Sequence, residues 1–457
     1  MALSYRETVQ RLLWLGHEGR SLKWDLANIR AVLERLGHPE RKFRSVHIAG
    51  TNGKGSVAAM MDAVLRAAGY RAGLFTSPHL ECINERIAVD GRALGDDDFA
   101  AAFSTVSGAV EALLAESRLP HHPSYFECLT AMALWQFARA GVEVAVLEVG
   151  MGGRLDATNV VTPEVAVITP VDFDHERYLG HALEQIASEK AGILKPGVPV
   201  VNAAEHPVAR RVVAARAAEV HAPLVDVQSH YWAEQVRARD FGRYDFLVSA
   251  QDGFRLPLAP SLRGAFQMRN SLAALAALRE LNARGWDVSD RAIADGVAGA
   301  QWGGRMELVA REPLVFLDGA HNPAGARQVR RFWEEHLERR PIHLLYGMLR
   351  EKAAEEVMEL LLPRAASVIV SQPGTPRAAS AELLARLARP LNPRVTVEPD
   401  VGRALGRALQ QAQPGEVVFV TGSLFLVGEC RQALASRRTV AARAPFSVAA
   451  PPAGGPA

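Results

Sequence analysis

Two kinds of apolar pattern alternate along this chain. Residues 44–49, 142–149, 165–169 and 198–202 are short, nearly continuous apolar runs, the pattern of strands buried on both faces. Between them, residues 56–68, 99–116, 127–140 and 183–191 carry apolar positions at helical spacing, and residues 4–36 read as helical segments broken around 16–23. Residues 231–254 differ: several short strand-like pieces predict an antiparallel edge. Helices are expected at 270–281 and 288–297, and then a boundary at 298–304. A second alternation follows, with strands at 314–318, 342–346, 367–370, 395–397 and 416–421. Its helices are expected at 323–337, 353–362, 379–387 and 405–411.

Strand then helix, repeated, predicts an α/β fold. Residues 1–297 read as a P-loop-type domain, a mostly parallel sheet with helices on both faces. Residues 298–437 read as a smaller C-terminal open α/β domain, Rossmann-like, and the Ala-, Pro- and Gly-rich residues 438–457 as a disordered tail. The length of 457 residues agrees with two cores rather than one. A net charge of +2 with scattered arginines gives no basis for a nucleic-acid partner. Cys82, Cys128 and Cys430, the only cysteines, form neither a disulfide framework nor a thiolate metal site and suit a reducing compartment. The first residues carry Glu7 and Arg11 and no long apolar core, so no secretory signal is expected. The longest apolar runs are strand-sized, so no membrane span is expected either. A cytoplasmic monomer is the simplest expectation.

Polar residues collect where strands end. In GTNGKGS, residues 50–56, glycines let backbone N–H groups turn toward one centre, and the following helix adds its N-terminal dipole. Lys54 supplies a point charge for phosphate oxygens, and Ser56 a hydroxyl for a metal or phosphate. Gly55 separates the two, unlike the common P-loop spacing. The plain alternative is a structural turn. Glu148 ends an apolar strand just before a glycine cluster. It either faces water at the sheet edge or meets a hard cation such as Mg2+. His175, in TPVDFDHE (169–176), is a metal ligand, a phosphate contact or a surface histidine, while Asp172 and Asp174 read as turn caps. Lys190 either complements its helix dipole or points into the cleft. In LDGAHNP (317–323), Asp318 suits ribose hydroxyls and His321 and Asn322 suit phosphate. Asn322 and Pro323 also satisfy a helix start. Thr421-Gly-Ser faces the same crevice. Together these loops favour phosphoryl transfer or ATP-driven ligation over redox chemistry, for which the dinucleotide fingerprint is missing.

Several long motifs occur in order: AGTNGKGS (49–56), TSPHL (76–80), NERI (84–87), SYFECLT (124–130), LEVGMGGRLDATNV (147–160), DHERYLG (174–180), IASEKAGILKPGVP (186–199), FQMRNSLAAL (266–275), GGR (303–305), DGAHNP (318–323) and TGSLFLVGE (421–429). Over residues 4–431 the chain resembles the folylpolyglutamate synthases and the related bifunctional dihydrofolate synthases of the Mur ligase superfamily. The resemblance implies an ATP- and Mg2+-dependent amide ligase that joins L-glutamate to tetrahydrofolate through an acyl phosphate, and it leaves dihydropteroate open as a further substrate. It implies a triphosphate loop at Asn52, Gly53, Lys54, Gly55 and Ser56, with Asn270, Arg305 and Asp318 as further nucleotide contacts. Ser77, Glu148 and His175 are the implied metal ligands, joined by Lys190 as a carbamate. Lys54, Lys190, Arg305 and His321 form the implied catalytic set. The pterin is expected at Trp24, Asp25, Leu26 and Ala27, at Tyr125, Phe126 and Glu127, and at Leu155, Asp156 and Ala157, with Phe126 stacking and Asp156 hydrogen-bonding. Glu351-Lys352 stands where an Asp-Lys pair is usual, and Asp172 replaces a smaller residue. The rival readings are another Mur-type amino-acid ligase, which would need a nucleotide-sugar domain before residue 50, and a nucleotide-gated ATPase.

Overall fold

The computed structural model describes residues 3–15, 25–350 and 352–443, the side chains of 438–443 excepted. Eight strands make the larger sheet: β1 (Arg44–Ala49), β2 (Ala72–Phe75), β3 (Ile87–Val89), β4 (Arg92–Ala93), β5 (Val144–Glu148), β6 (Val165–Ile168), β7 (Val200–Asn202) and β8 (Leu224–Asp226). Their order is β4-β3-β2-β5-β1-β6-β7-β8. All pairs from β2 to β8 are parallel, and β3 and β4 form an antiparallel edge. Side-chain alternation divides the strands between two cores. Val46, Ile48, Val144 and Val146 pack with the helices Lys54–Ala67 and Phe266–Ala283. Ala145 and Leu147 pack on the opposite face with the helices Asp96–Ala115 and Tyr125–Arg139. Burial on both faces explains why β5 reads as a continuous apolar run.

The antiparallel pieces expected at the sheet edge form a sheet of their own. β9 (Tyr231–Arg239), β10 (Arg243–Ala250) and β11 (Arg255–Leu258) pair only with one another, in the order β11-β10-β9. Tyr244, Phe246, Val248, Leu256 and Leu258 cover the core beneath the helix Phe266–Ala283. This sheet buries one face, which produces the broken alternation in the sequence.

The second α/β unit contains β12 (Glu307–Arg311), β13 (Leu314–Leu317), β14 (Ile342–Tyr346), β15 (Ser367–Val370), β16 (Val395–Val397) and β17 (Val417–Thr421). The order is β12-β13-β17-β14-β15-β16, parallel except for β12. Besides the single-turn helices Glu176–Leu179 and Val227–His230, two long helices add to those the sequence predicts, Pro207–Glu219 and Leu424–Arg443. The helix Leu424–Arg443 continues into the stretch expected to be tail, and residues 444–457 lie outside the described ones. The helix Asp96–Ala115, by length and composition alone, is long and apolar enough to cross a membrane, against the expectation of strand-sized runs. Its Phe99, Phe103, Val106, Val110 and Leu113 are buried in the core with Leu129 and Met132.

The helix that carries the 50–56 loop is fixed by a close crossing. A Cβ on Gly296 would land on the Val64 backbone, whereas nothing lies within 4 Å of one on Gly299. Gly296→Ala is therefore expected to cost about 1–3 kcal/mol, read as a lower urea midpoint. Gly299→Ala on the same helix should change stability by less than ~0.5 kcal/mol.

Candidate active site

The C-terminal ends of β1, β5 and β6 lie side by side, because Ile48 is in register with Glu148 and Ala49 with Ile168. This is the edge of a parallel sheet where ligands bind. After β1 the chain turns at Gly53, whose φ of 86° is left-handed and is favoured by glycine. The helix then begins at Lys54, two positions earlier than its spacing suggests. Ser56 is buried at its first turn. Its hydroxyl accepts a 3.2 Å hydrogen bond from Gln267 Nε2, whose Oε1 in turn accepts one of 2.8 Å from Asn270 Nδ2.

Two lysines meet on one oxygen. The Nζ atoms of Lys54 and Lys190 both donate to the Gly50 carbonyl, at 3.1 and 2.9 Å, and Lys54 also donates to Thr51 O at 3.2 Å. Among the described residues, no carboxylate is in ion-pair contact with either. Lys190 is only 4% exposed. Burial and the neighbouring Lys54 charge push its pKa down to about 7. Burial lowers that of Lys54 as well. Lys190 thus points inward at the loop rather than outward along its helix axis.

Opposite these amines, Glu148 is buried and accepts one hydrogen bond, from Ser77 N–H at 3.3 Å. Burial raises its pKa, with Lys54 opposing the shift. His175 is held neutral, its pKa driven down to about 3 by burial and the Lys352 charge. Glu148, which bonds no cation among the described residues, and Ser77, whose N–H it accepts, supply oxygens of the kind a small hard cation takes, and His175 offers a neutral imidazole nitrogen. Among the described residues, no three His, Cys, Asp or Glu side chains gather into a metal cluster.

The second unit reaches this edge through Asp174. Its carboxylate accepts Lys352 Nζ at 2.6 Å and Asn322 Nδ2 at 3.3 Å, and His321 Nε2 lies 3.5 Å away. Burial opposes its charge, but His321 and Lys352 outweigh that and hold the carboxyl well below the usual range. Asn322 also bonds Asn52, and Arg327 meets Asp172 at 3.2 Å. Asn322 caps its helix as well, accepting Gly325 N–H at 2.8 Å, which is the helix start that the sequence also offers there. Asp318 Oδ2 accepts Met306 N–H and Oδ1 accepts Ala320 N–H, each at 2.9 Å, which braces the turn carrying Arg305. His321 Nδ1–H donates to Gly319 O at 2.8 Å.

The Mur ligase middle domain pattern matches residues 48–278, and the pattern described as Mur ligase, glutamate ligase domain matches 304–424. A Bacillus subtilis dihydrofolate synthase/folylpolyglutamate synthase is 34% identical over 415 residues, 90% of this chain and 95% of that protein. The chain belongs to this family of Mur ligases. The folylpolyglutamate synthase of Mycobacterium tuberculosis, solved with ADP and AMPPCP, superposes with a TM-score of 0.85 at 32% identity, over 96% of this chain and 99% of that one. A probable bifunctional folylpolyglutamate synthase/dihydropteroate synthase of Haloferax volcanii is 37% identical over 410 residues, 88% of this chain. The chain spans 48% of that longer relative.

The stretches expected to border a pterin in this Mur ligase converge in part. The helix Ala27–Arg35 packs on both the helix Tyr125–Arg139 and the turn Ala157–Val160. Trp24 lies outside the described residues. Asp25 is exposed and accepts Ala27 N–H at 2.9 Å, and Leu26 is half-buried ahead of that helix. Tyr125 is buried with the Arg86 guanidinium over its ring, and half-buried Phe126 lies 5.8 Å from Phe75. Glu127 closes a capping box with Ser124, and Leu155 is half-buried beside buried Ala157. Asp156 uses both oxygens inside its own loop, accepting from Gly150, Met151 and Thr158.

Asp174 is more than the turn cap its position suggests, and Gln267 does not stand out from its motif in the sequence. The only signal for Asp174 is the charge at the end of β6. Its partner Lys352 lies 178 residues away in sequence. Lys352 and Asp174 are both under a tenth exposed. Lys352→Met should therefore lower stability by about 3 kcal/mol. The double variant Lys352→Met/Asp174→Asn should recover part of that loss in thermal unfolding.

Proposed function

We infer that this protein is an ATP-dependent amide ligase. It adds L-glutamate to tetrahydrofolate and releases ADP and phosphate. The observation that carries the reading is the pair of amines, one half-buried and one buried, on the Gly50 carbonyl beside a helix N-terminus, with no carboxylate in ion-pair contact among the described residues. Such a site calls for a polyphosphate anion.

In this reading the triphosphate lies along residues 52–56, against the N–H groups opening the helix and the Lys54 ammonium. Asn270 and Asp318 border the nucleotide. A carboxylate oxygen of the folate attacks the terminal phosphorus, the bond to ADP breaks, and an acyl phosphate forms. The glutamate amine attacks its carbonyl carbon, loses a proton, and phosphate leaves as the amide closes. Lys54, Arg305 and His321 offset charge that grows on the transferred group. Closure of the two units at Asp174 excludes water from the acyl phosphate. Phe126 stacks on the pterin, bordered by residues 24–27, 125–127 and 155–157. Ser77, Glu148 and His175 would hold Mg2+, which when bound neutralises phosphate charge. With a pKa of about 7, the Lys190 amine is available in the neutral form that reacts with CO2. An N–C bond forms to the neutral amine, a proton leaves, and the resulting carbamate would join Ser77, Glu148 and His175 as a metal-holding group. The enzyme works as a cytoplasmic monomer with domains at 1–297 and 298–437.

Incubation with ATP, Mg2+ and glutamate, offering tetrahydrofolate and dihydropteroate separately, tests the reading by product mass. A glutamyl adduct of tetrahydrofolate is expected, and the dihydropteroate arm decides bifunctionality. ATP hydrolysis indifferent to folate and glutamate would favour the nucleotide-gated ATPase instead. Lys54→Ala should cut turnover at least ~100-fold, and a near-normal rate would remove Lys54 from the reaction.

A further inference from the structure

His47 lies at the centre of the large sheet and is fully buried. It is in register with Leu147 on β5 and Ala166 on β6. An imidazole among such residues needs hydrogen-bond partners. Its Nε2 lies 2.8 Å from Thr158 Oγ1. Thr158 Oγ1 gives its one proton to Asp156 Oδ1, so the Nε2–H is the donor to Thr158. Nδ1 is left as the acceptor nitrogen and has no partner among the described residues. Burial and the Lys195 charge keep the ring neutral, with a pKa pushed down to about 3.

The chain of donors continues into the loop after Glu148. Asp156 Oδ1 also accepts Thr158 N–H, and Oδ2 accepts the N–H groups of Gly150 and Met151, each at 3.0 Å. Gly150 packs so tightly on Phe126 that a Cβ would lie 2.5 Å from the ring. One directional series therefore joins His47 to Thr158, Asp156, the glycine loop and the face of Phe126.

We propose that His47 is a positioning residue for the folate substrate, acting through Thr158 and Asp156 to hold the 150–153 loop against Phe126. This rests on the reading above, in which Phe126 borders the pterin. β1 also runs directly into the phosphate loop at Gly50. A histidine that merely filled the core would, on removal, disturb nucleotide and folate alike. A relay through Thr158 disturbs the folate side.

Steady-state kinetics with tetrahydrofolate and ATP as the varied substrates test this in His47→Leu, His47→Gln and Thr158→Val. His47→Leu and Thr158→Val should each raise the tetrahydrofolate KM roughly tenfold and leave the ATP KM within about twofold. The double variant should be no worse than either single one. His47→Gln, whose amide N–H can replace Nε2–H, should stay within about threefold of the parent. Thr158 lies outside the sheet, so Thr158→Val keeps the test open if His47→Leu does not fold. Amide hydrogen exchange at Gly150 and Met151 should quicken in the His47→Leu and Thr158→Val variants and not in His47→Gln, whatever the substrate proves to be. Both KM values rising together, glutamine failing as badly as leucine, or unchanged exchange would overturn the proposal. A parent enzyme that makes no glutamyl product refutes the functional reading alone, since the exchange result stands apart from it.

Discussion

Two lysine amines share the carbonyl oxygen of Gly50, and the chemistry of the site follows from that contact. Two ammonium groups cannot both stay charged so close together in a buried place without an anion. The conflict has two remedies, and the proposed function gives one to each residue. Lys54, half-buried at the start of its helix, would be relieved by an incoming polyphosphate, as proposed above. Lys190, more deeply buried, has its pKa near 7 and can give up its proton. Glu148 faces the same space as a buried acid short of positive charge. An anion on one side and a small cation on the other would relieve all three groups together.

The frame exists to hold these groups at one edge. Parallel strands bring the ends of β1, β5 and β6 together, and the second unit presents its own strand ends across the cleft. Asp174 joins them by collecting Lys352, Asn322 and His321 on one carboxylate. A buried ion pair of this kind contributes more to fixing an arrangement than to net stability. Here it sets the distance between the half that carries the phosphate loop and the half that carries Arg305 and His321.

The strands are legible wherever both faces are buried. Residues 44–49, 342–346, 367–370 and 395–397 begin and end where their apolar runs do. The three-stranded sheet is harder to read, because its pairing is a matter of tertiary packing rather than of local pattern. The helix Leu424–Arg443 hides behind a loop motif, and its Leu426, Val427 and Cys430 face a core that only the folded chain supplies. The same limit applies to the site. Motifs at the strand ends mark Lys54, Glu148, His175 and Asp318 as candidates, and a motif late in the helix Leu183–Ala191 marks Lys190. No local pattern could say that Lys190 points at Gly50, that Asp174 bridges the two units, or that Asp156 closes its own loop.

The most direct measurement is a crystal structure of the protein with a non-hydrolysable ATP analogue and Mg2+. The terminal phosphates should lie against the N–H groups of residues 53–56 and within hydrogen-bonding distance of Lys54 Nζ, drawing that amine off the Gly50 carbonyl. A nucleotide bound elsewhere, with Lys54 and Lys190 still together on Gly50, would contradict it.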